Sequence, residues 1–542
     1  MGFFVFRNNT VERFFPKDYT FGGYDDISYV PTDVDGYVWF YQLPVKYDQE
    51  MLCSETRGYA QKLSFVLTQV DAAKPFIVLT MDEGSYAVPF TSGTELLSAV
   101  SDYNTALVQA EAEHTNVKLL DIREFTRQYP VNEVFDWKFW FISQMGMNPR
   151  LSKPFTDWFA RKLDEIALKR KKCLVLDLDN TLWGGVLGED GIEGIKLGGD
   201  YPGKAFHYWQ EALLELSKSG VILTVCSKNN EADVLEAWEK NPFMVLKKDN
   251  FATWRINWMD KATNIKELAD ELNIGLDSFV FVDDNPTERE LIKQVLPMVE
   301  VPEFPAQPYE LPVFFKDIVE KYFRVYSITT EDKQKTEQYK ANAQRAQAQK
   351  SFVDFDAFLE SLDIQITIEA ANEFNVPRIA QMTQKTNQFN LTTKRYTDAD
   401  LRSFMQAGWK IWCISVADKF GDNGITGCVL INLNDNLNDN LNLDDNKVSG
   451  VEIDTFLLSC RILGKGIEIA FIKKILSILK SEGIKEVKAN YIPTAKNAQV
   501  KDFYEKCGFS CVAEDVDGQK AYVLDLQDSD LNVKDYYHIT LK

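Results

Sequence analysis

Three short apolar runs in the middle of the chain each stop against residues that handle phosphate and metal ions. Cys173, Leu174, Val175 and Leu176 lead into Asp177, Asp179 and Thr181. Residues 221–226 lead into Ser227, and residues 279–282 lead into Asp283 and Asp284. Short, continuously apolar runs rich in β-branched residues are what strands of a parallel sheet look like when helices cover both faces. Ligands of open α/β sheets bind beyond the carboxyl ends of the strands. The three polar clusters are therefore expected to meet in one pocket.

At 542 residues the chain exceeds a single core, and the expected fold class is α/β in three domains. The expected divisions are a mixed α/β domain over 1–168, a catalytic parallel-sheet domain over 169–325, a connecting helix within 326–362, and a third α+β domain over 363–542. The net charge of -21 disfavours nucleic acid and anionic membrane surfaces as partners. Eight cysteines without a CxxC or zinc spacing read as small core residues. No run approaches the ~18 apolar residues of a membrane span, and the first residues turn polar too soon for a signal peptide. A reducing cytoplasm is the natural expectation. With only His114, His207 and His538, His-rich metal sites and Ser/His catalysis are disfavoured. The Asn-rich stretch 432–446 lacks the glycine and closing glutamate of an EF-hand and reads as an exposed hairpin tip.

Carboxylates at i and i+2 beyond a strand end, Asp177 and Asp179, reach one substrate if the chain turns there. At short range one tends to hold a proton while the other stays a nucleophile. Magnesium takes hard oxygen ligands from one or two carboxylates plus substrate phosphate, and Asp284 can supply one. Lys261 precedes a helix whose apolar face is Ile265, Leu268, Ala269 and Leu272, and a helix start attracts anions. Ser227 adds a hydroxyl. The set suffices for phosphoryl transfer through an aspartyl phosphate.

These residues resemble the four motifs of the haloacid dehalogenase (HAD) superfamily: Asp177, Asp179 and Thr181; Ser227; Lys261; Asp283 and Asp284. The longer strings around them are similar to the FkbH-type branch, phosphatase subfamily IIIC. The resemblance implies Asp177 as nucleophile, Asp179 as general acid/base, and Thr181, Ser227 and Lys261 around the phosphate. It implies magnesium held by Asp177, the Asp179 carbonyl and Asp284, with Asp283 close by; Glu288 stands where many relatives carry a further acid. Residues 183–202 give only a glycine-rich flap, and 229–260 little beyond one helix and a strand, so no large cap is expected. Either a bulky substrate or lidding by the flanking domains follows.

In the third domain, Arg461, Gly464 and Gly466 form a turn between strand-like and helical segments. With Asn497, Tyr504 and the ending Cys507-Gly508-Phe509, it resembles the GNAT acyltransferase fold. That resemblance implies acyl-CoA on the glycine turn, with Asn497 and Tyr504 nearest the acyl sulfur; a phosphopantetheine arm is the alternative ligand. Residues 386–393 also resemble the FkbH family, with no role derivable from the residues themselves. The first domain resembles an SGNH-like domain. Its first strand leads to Asn8, Asn9 and Thr10 rather than Gly-Asp-Ser, and it lacks Asp-x-x-His, so binding or lidding is expected in place of hydrolysis.

Two outcomes stand open. One is a phosphatase for a small phosphorylated metabolite. The other takes a glyceryl unit from bisphosphoglycerate and passes it to an acyl carrier protein through a thiol. Cys226 is the candidate thiol, a buried strand cysteine its plain reading. A non-catalytic phosphate-binding scaffold is a third reading.

Overall fold

The computed structural model describes residues 2–84, 87, 93–328, 338, 339, 341, 344, 345, 348, 354–433, 451–459 and 462–542. Arg461, most of the expected connecting helix and nearly all of the Asn-rich stretch lie outside the described residues. The chain divides into two compact units, 1–167 and 168–542, so the parallel-sheet domain and the C-terminal sheet share one unit. Among the described residues no helix is long and apolar enough to cross a membrane.

The first unit is built on a five-stranded parallel sheet of β1 (Phe4–Arg7), β2 (Thr20–Tyr24), β3 (Tyr37–Phe40), β4 (Phe76–Leu79) and β5 (Val117–Leu120). The order is β2-β1-β3-β4-β5. Its core is unusually aromatic, with Phe6, Trp39, Tyr41, Tyr59 and Tyr103 buried together. The Trp39 indole donates to the Tyr103 hydroxyl at 2.9 Å, which satisfies a polar tip deep in the core.

The second unit opens with a four-stranded parallel sheet: β6 (Cys173–Leu176), β7 (Ile222–Ser227), β8 (Thr253–Ile256) and β9 (Phe279–Val282). The order β8-β7-β6-β9 makes the chain reverse direction across the sheet between β6 and β9. Side-chain alternation sorts the strands' residues onto two faces. Leu174, Leu176, Leu223, Val225, Val280 and Val282 pack with Trp209 and Leu213 of the helix Gly203–Lys218. Cys173, Val175, Cys226, Phe279 and Phe281 pack with Ile265 and Leu268 of the helix Lys261–Leu272. Burying each such aliphatic side chain stabilises the layer by about 1.5–3 kcal/mol. The consequence is a strand edge that aims two acidic turns, after β6 and β9, and the Ser227 end of β7 at one crevice.

Downstream lies an eight-stranded sheet ordered β15-β16-β14-β13-β12-β11-β10-β17. Its strands are β10 (Ile364–Ala370), β11 (Lys410–Asp418), β12 (Gly421–Asn432), β13 (Val451–Leu458), β14 (Glu486–Tyr491), β15 (Ser510–Glu514), β16 (Lys520–Asp525) and β17 (Tyr537–Leu541). β13 and β14 run parallel but pair only from Val451 to Ile453 on β13. Beyond that point they separate, and residues 389–391 fill the gap. Leu391 N donates to Phe456 O, Leu458 N to Phe389 O, and Ile492 N to Leu391 O, at 3.2, 3.0 and 2.8 Å. The polar stretch 386–393 thus has a structural role: it completes the ladder.

Candidate active site

The carboxyl ends of β6 and β9 lie side by side, because Asp177 N continues their ladder by donating to Val282 O at 3.0 Å. This is the crevice where a doubly wound sheet binds ligand. Carboxylate oxygens of Asp177, Asp283 and Asp284 all lie within 4.8 Å of one another. Lys261 stands among them, its Nζ 3.0 Å from Asp177 Oδ1 and 2.6 Å from Asp283 Oδ2. Asp260 caps the helix that Lys261 begins by accepting from Thr263 N at 2.8 Å, which fixes where the lysine emerges.

Burial sets the electrostatics. Asp283 is 0% exposed and Lys261 3%. Burial alone would push the lysine down, but the Asp177 and Asp283 carboxylates outweigh it and hold its pKa up. Desolvation, with the Asp177 charge behind it, raises Asp283 and Asp284. Three carboxylates against one ammonium leave two formal negative charges in a largely buried place. Hard oxygen donors carrying that surplus fit a divalent cation such as magnesium.

Asp179 stands apart from this trio. Its Oδ1 accepts from Trp183 Nε1 at 2.9 Å and Leu187 N at 3.0 Å, and its Oδ2 from Asn229 Nδ2 at 2.8 Å. Burial raises its pKa. Thr181, expected beside the phosphate, is fully buried and accepts the Asp284 amide at 3.1 Å, so its hydroxyl ties the β6 turn to the β9 turn. Ser227 closes β7 at 2% exposure, and its carbonyl accepts from Asn257 N. Lys228 beside it pairs with Glu288 at 2.6 Å.

Cys226 departs from the thiol expectation. Its side chain belongs to the apolar layer under the Lys261 helix, and Sγ lies 3.8 Å from Lys261 O. Burial pushes its pKa up to about 12, outweighing the lysine charge.

Several residues that hold the site went unrecognised in the sequence. Arg289 Nη1 donates to the carbonyls of Asp283 and Asp284 at 2.9 and 2.7 Å, holding the acidic turn. Gln210 donates to Leu182 O at 2.9 Å and accepts from Val245 N and Leu246 N, which anchors the first motif from behind. The stretch 183–202 is folded down, with Trp183, Leu187, Ile195 and Leu197 buried in the core, rather than raised as a cap. Only the indole at 183 carried a sequence signal, as a polar-tipped residue two places after Thr181.

Of the residues expected around an acyl group, Asn497 is committed to backbone, while Tyr504 is packed through its ring with its buried hydroxyl unpartnered. Asn497 is fully buried; its Nδ2 donates to Asn390 O and Ile492 O at 3.0 and 2.9 Å, and its Oδ1 accepts from Thr494 N at 2.7 Å. Its amide therefore pins the gap-filling segment. Tyr504 is 1% exposed and packs between Phe509 and Tyr522. Gly464 and Gly466 have φ of 75° and 69°. At Gly466 a Cβ would fall 2.5 Å from the Tyr537 hydroxyl, which itself donates to Lys465 O. In the first unit, Asn8 clamps β1 to the end of β3 by exchanging hydrogen bonds with the Gln42 backbone. A cavity of about 480 Å³ opens near the carboxyl ends of β3, β4 and β5, touching Tyr41, Gln42, Met81, Asp82 and Arg127.

The sheet order and the acid–lysine cluster agree with a HAD-like phosphatase domain over residues 172–310. Residues 172–310 match the family model of the NLI interacting factor-like phosphatases. A crystal structure of the N-terminal part of the protein BF1531 from Bacteroides fragilis, containing a phosphatase domain and complexed with Mg, is 27% identical. Its TM-score is 0.51, and the match covers 60% of this chain and 95% of that one. An N-acetyltransferase from Staphylococcus aureus Mu50 (15% identity, TM-score 0.22) covers 30% of this chain and 99% of its own. An aminoglycoside acetyltransferase in complex with coenzyme A (16%, TM-score 0.23) covers 30% and 94%. No curated protein matches.

Proposed function

We propose that the chain is a magnesium-dependent phosphatase that cleaves a small phosphomonoester through an aspartyl phosphate on Asp177. The observation that carries this reading is the cluster of Asp177, Asp283 and Asp284 with Lys261 wedged between two of them. The magnesium complex of the Bacteroides fragilis structure supports the choice of ion. Asp177, Asp284 and, through its carbonyl, Asp179 would hold the ion, which when bound would neutralise phosphoryl charge and orient the ester. Asp177 attacks phosphorus, Lys261 and Ser227 hold the phosphoryl oxygens, and Asp179 protonates the leaving oxygen. A water then attacks the aspartyl phosphate and gives its proton to Asp179.

Water is favoured over a thiol as the final acceptor because Cys226 is buried with its pKa raised. Acyl-CoA or carrier-arm binding by the C-terminal sheet finds no support in Asn497, whose amide is spent on the Asn390 and Ile492 carbonyls. The test is turnover of 4-nitrophenyl phosphate with magnesium, and capture of a phosphate adduct on Asp177 by mass spectrometry after acid quench. Turnover is expected to vanish in Asp177→Asn and in chelator. Undiminished turnover in Asp177→Asn refutes the reading; a protein inert toward a broad phosphate-ester panel would be a binding scaffold.

A further inference from the structure

The Asp179 carboxyl is gripped through both oxygens by side chains from separate loops. Trp183 follows the β6 turn and is 0% exposed; Asn229 follows β7 and is 5% exposed. An aspartate on a turn has three staggered χ1 wells, and a change of well moves its oxygens by more than an ångström. Misplacement on that scale costs a catalytic group about 10²-fold.

The two grips are unequal. Oδ1 takes two donors, Trp183 Nε1 and Leu187 N, which fill its in-plane lone pairs. Oδ2 takes one, from Asn229 Nδ2, and keeps a lone pair. Oδ2 is therefore the oxygen left to carry a proton and hand it on.

We infer that Trp183 and Asn229 are positioning residues that fix the Asp179 carboxyl with Oδ2 turned to the reacting ester. The inference rests on the phosphatase reading above. In the first step the Asp177 oxygen–phosphorus bond forms, the bond from phosphorus to the leaving oxygen breaks, and that oxygen takes the proton from Asp179 Oδ2. In the second, water oxygen bonds to phosphorus, the Asp177–phosphorus bond breaks, and the water proton returns to Asp179 Oδ2. A carboxyl free to swing would fail at both transfers, and most for leaving groups that depend on the proton.

The experiment compares kcat/KM for 4-nitrophenyl phosphate, whose leaving group departs with little help, and phenyl phosphate, which needs the proton. Wild type, Trp183→Phe, Asn229→Ala, Asp179→Asn and the two pairwise combinations with Asp179→Asn are measured in full-length protein. In Trp183→Phe and Asn229→Ala, phenyl phosphate is expected to lose about tenfold more than 4-nitrophenyl phosphate, a part of the ~10²–10⁴-fold that general acid catalysis contributes in full. Adding either substitution to Asp179→Asn should then cost little further. Equal losses on both esters in both variants, or fully additive losses on top of Asp179→Asn, would overturn the inference and mark both residues as packing. If one variant fails to fold by circular dichroism, the other decides. Wild type inert toward both esters, or an active Asp177→Asn, would instead bring down the phosphatase reading itself.

Discussion

Lys261→Met should destabilise the second unit far more than the loss of one surface charge. The ammonium lies between Asp177 and Asp283 with its side chain only 4% exposed, and Asp283 is fully buried. Methionine has nearly the same length, so the cavity term is small and electrostatics dominate. Removing one partner of a buried ion pair typically costs about 3–5 kcal/mol, because the remaining carboxylate is desolvated and unpaired. The unit spans roughly 375 residues, and at about 2.1 cal/mol/K per residue its unfolding entropy is about 0.8 kcal/mol/K. The expected drop in Tm is therefore about 4–6 °C, read by calorimetry in chelator. Combining Lys261→Met with Asp283→Asn should recover at least half of it, since the orphaned charge goes too. A single variant melting within about 1 °C of wild type, or a double variant no better than the single, would refute the account of the lysine as counter-charge to the acids.

Native iodoacetamide should label the exposed Cys511 and spare Cys226, and Cys226→Ser should keep turnover within about twofold; rapid labelling at 226 would restore the thiol route. Arg289→Ala frees the carbonyls of the acidic turn and should weaken magnesium binding about 10–100-fold, measured by calorimetric titration. Gly466→Ala should cost about 2–3 kcal/mol, from its φ of 69° and the approach to the Tyr537 hydroxyl, and Tyr537→Phe should relieve the second part; equal melting of both alanine variants would show that only the backbone matters.

What the sequence made legible is what one-dimensional pattern controls. Apolar runs that end in Asp177, Ser227 and Asp283 announce strand ends, and a parallel sheet leaves those ends one place to meet. Lys261 was readable because a helix-period stripe begins directly after it. For Cys226 a period of two favours the buried-cysteine reading: Ile222 and Cys226 share a face, and that face packs under the Lys261 helix. Arg289 was invisible, since its worth lies in two backbone carbonyls whose direction only the folded turn sets. Residues 389–391 gave no strand signal either; their pairing is with segments more than sixty residues away. Asn497 looked like a ligand contact because an amide in a loop reads the same whether it meets a cofactor or the chain itself.

That borrowed rung has a practical corollary for anyone cutting the chain. A fragment that starts after residue 397 would leave the far half of β13 and the end of β14 with facing rows of bare amides and carbonyls. Such raw borders recruit other copies and drive clumping. Soluble pieces of the C-terminal sheet should accordingly begin upstream of residue 364, which keeps β10 as well, whatever boundary a sequence comparison suggests.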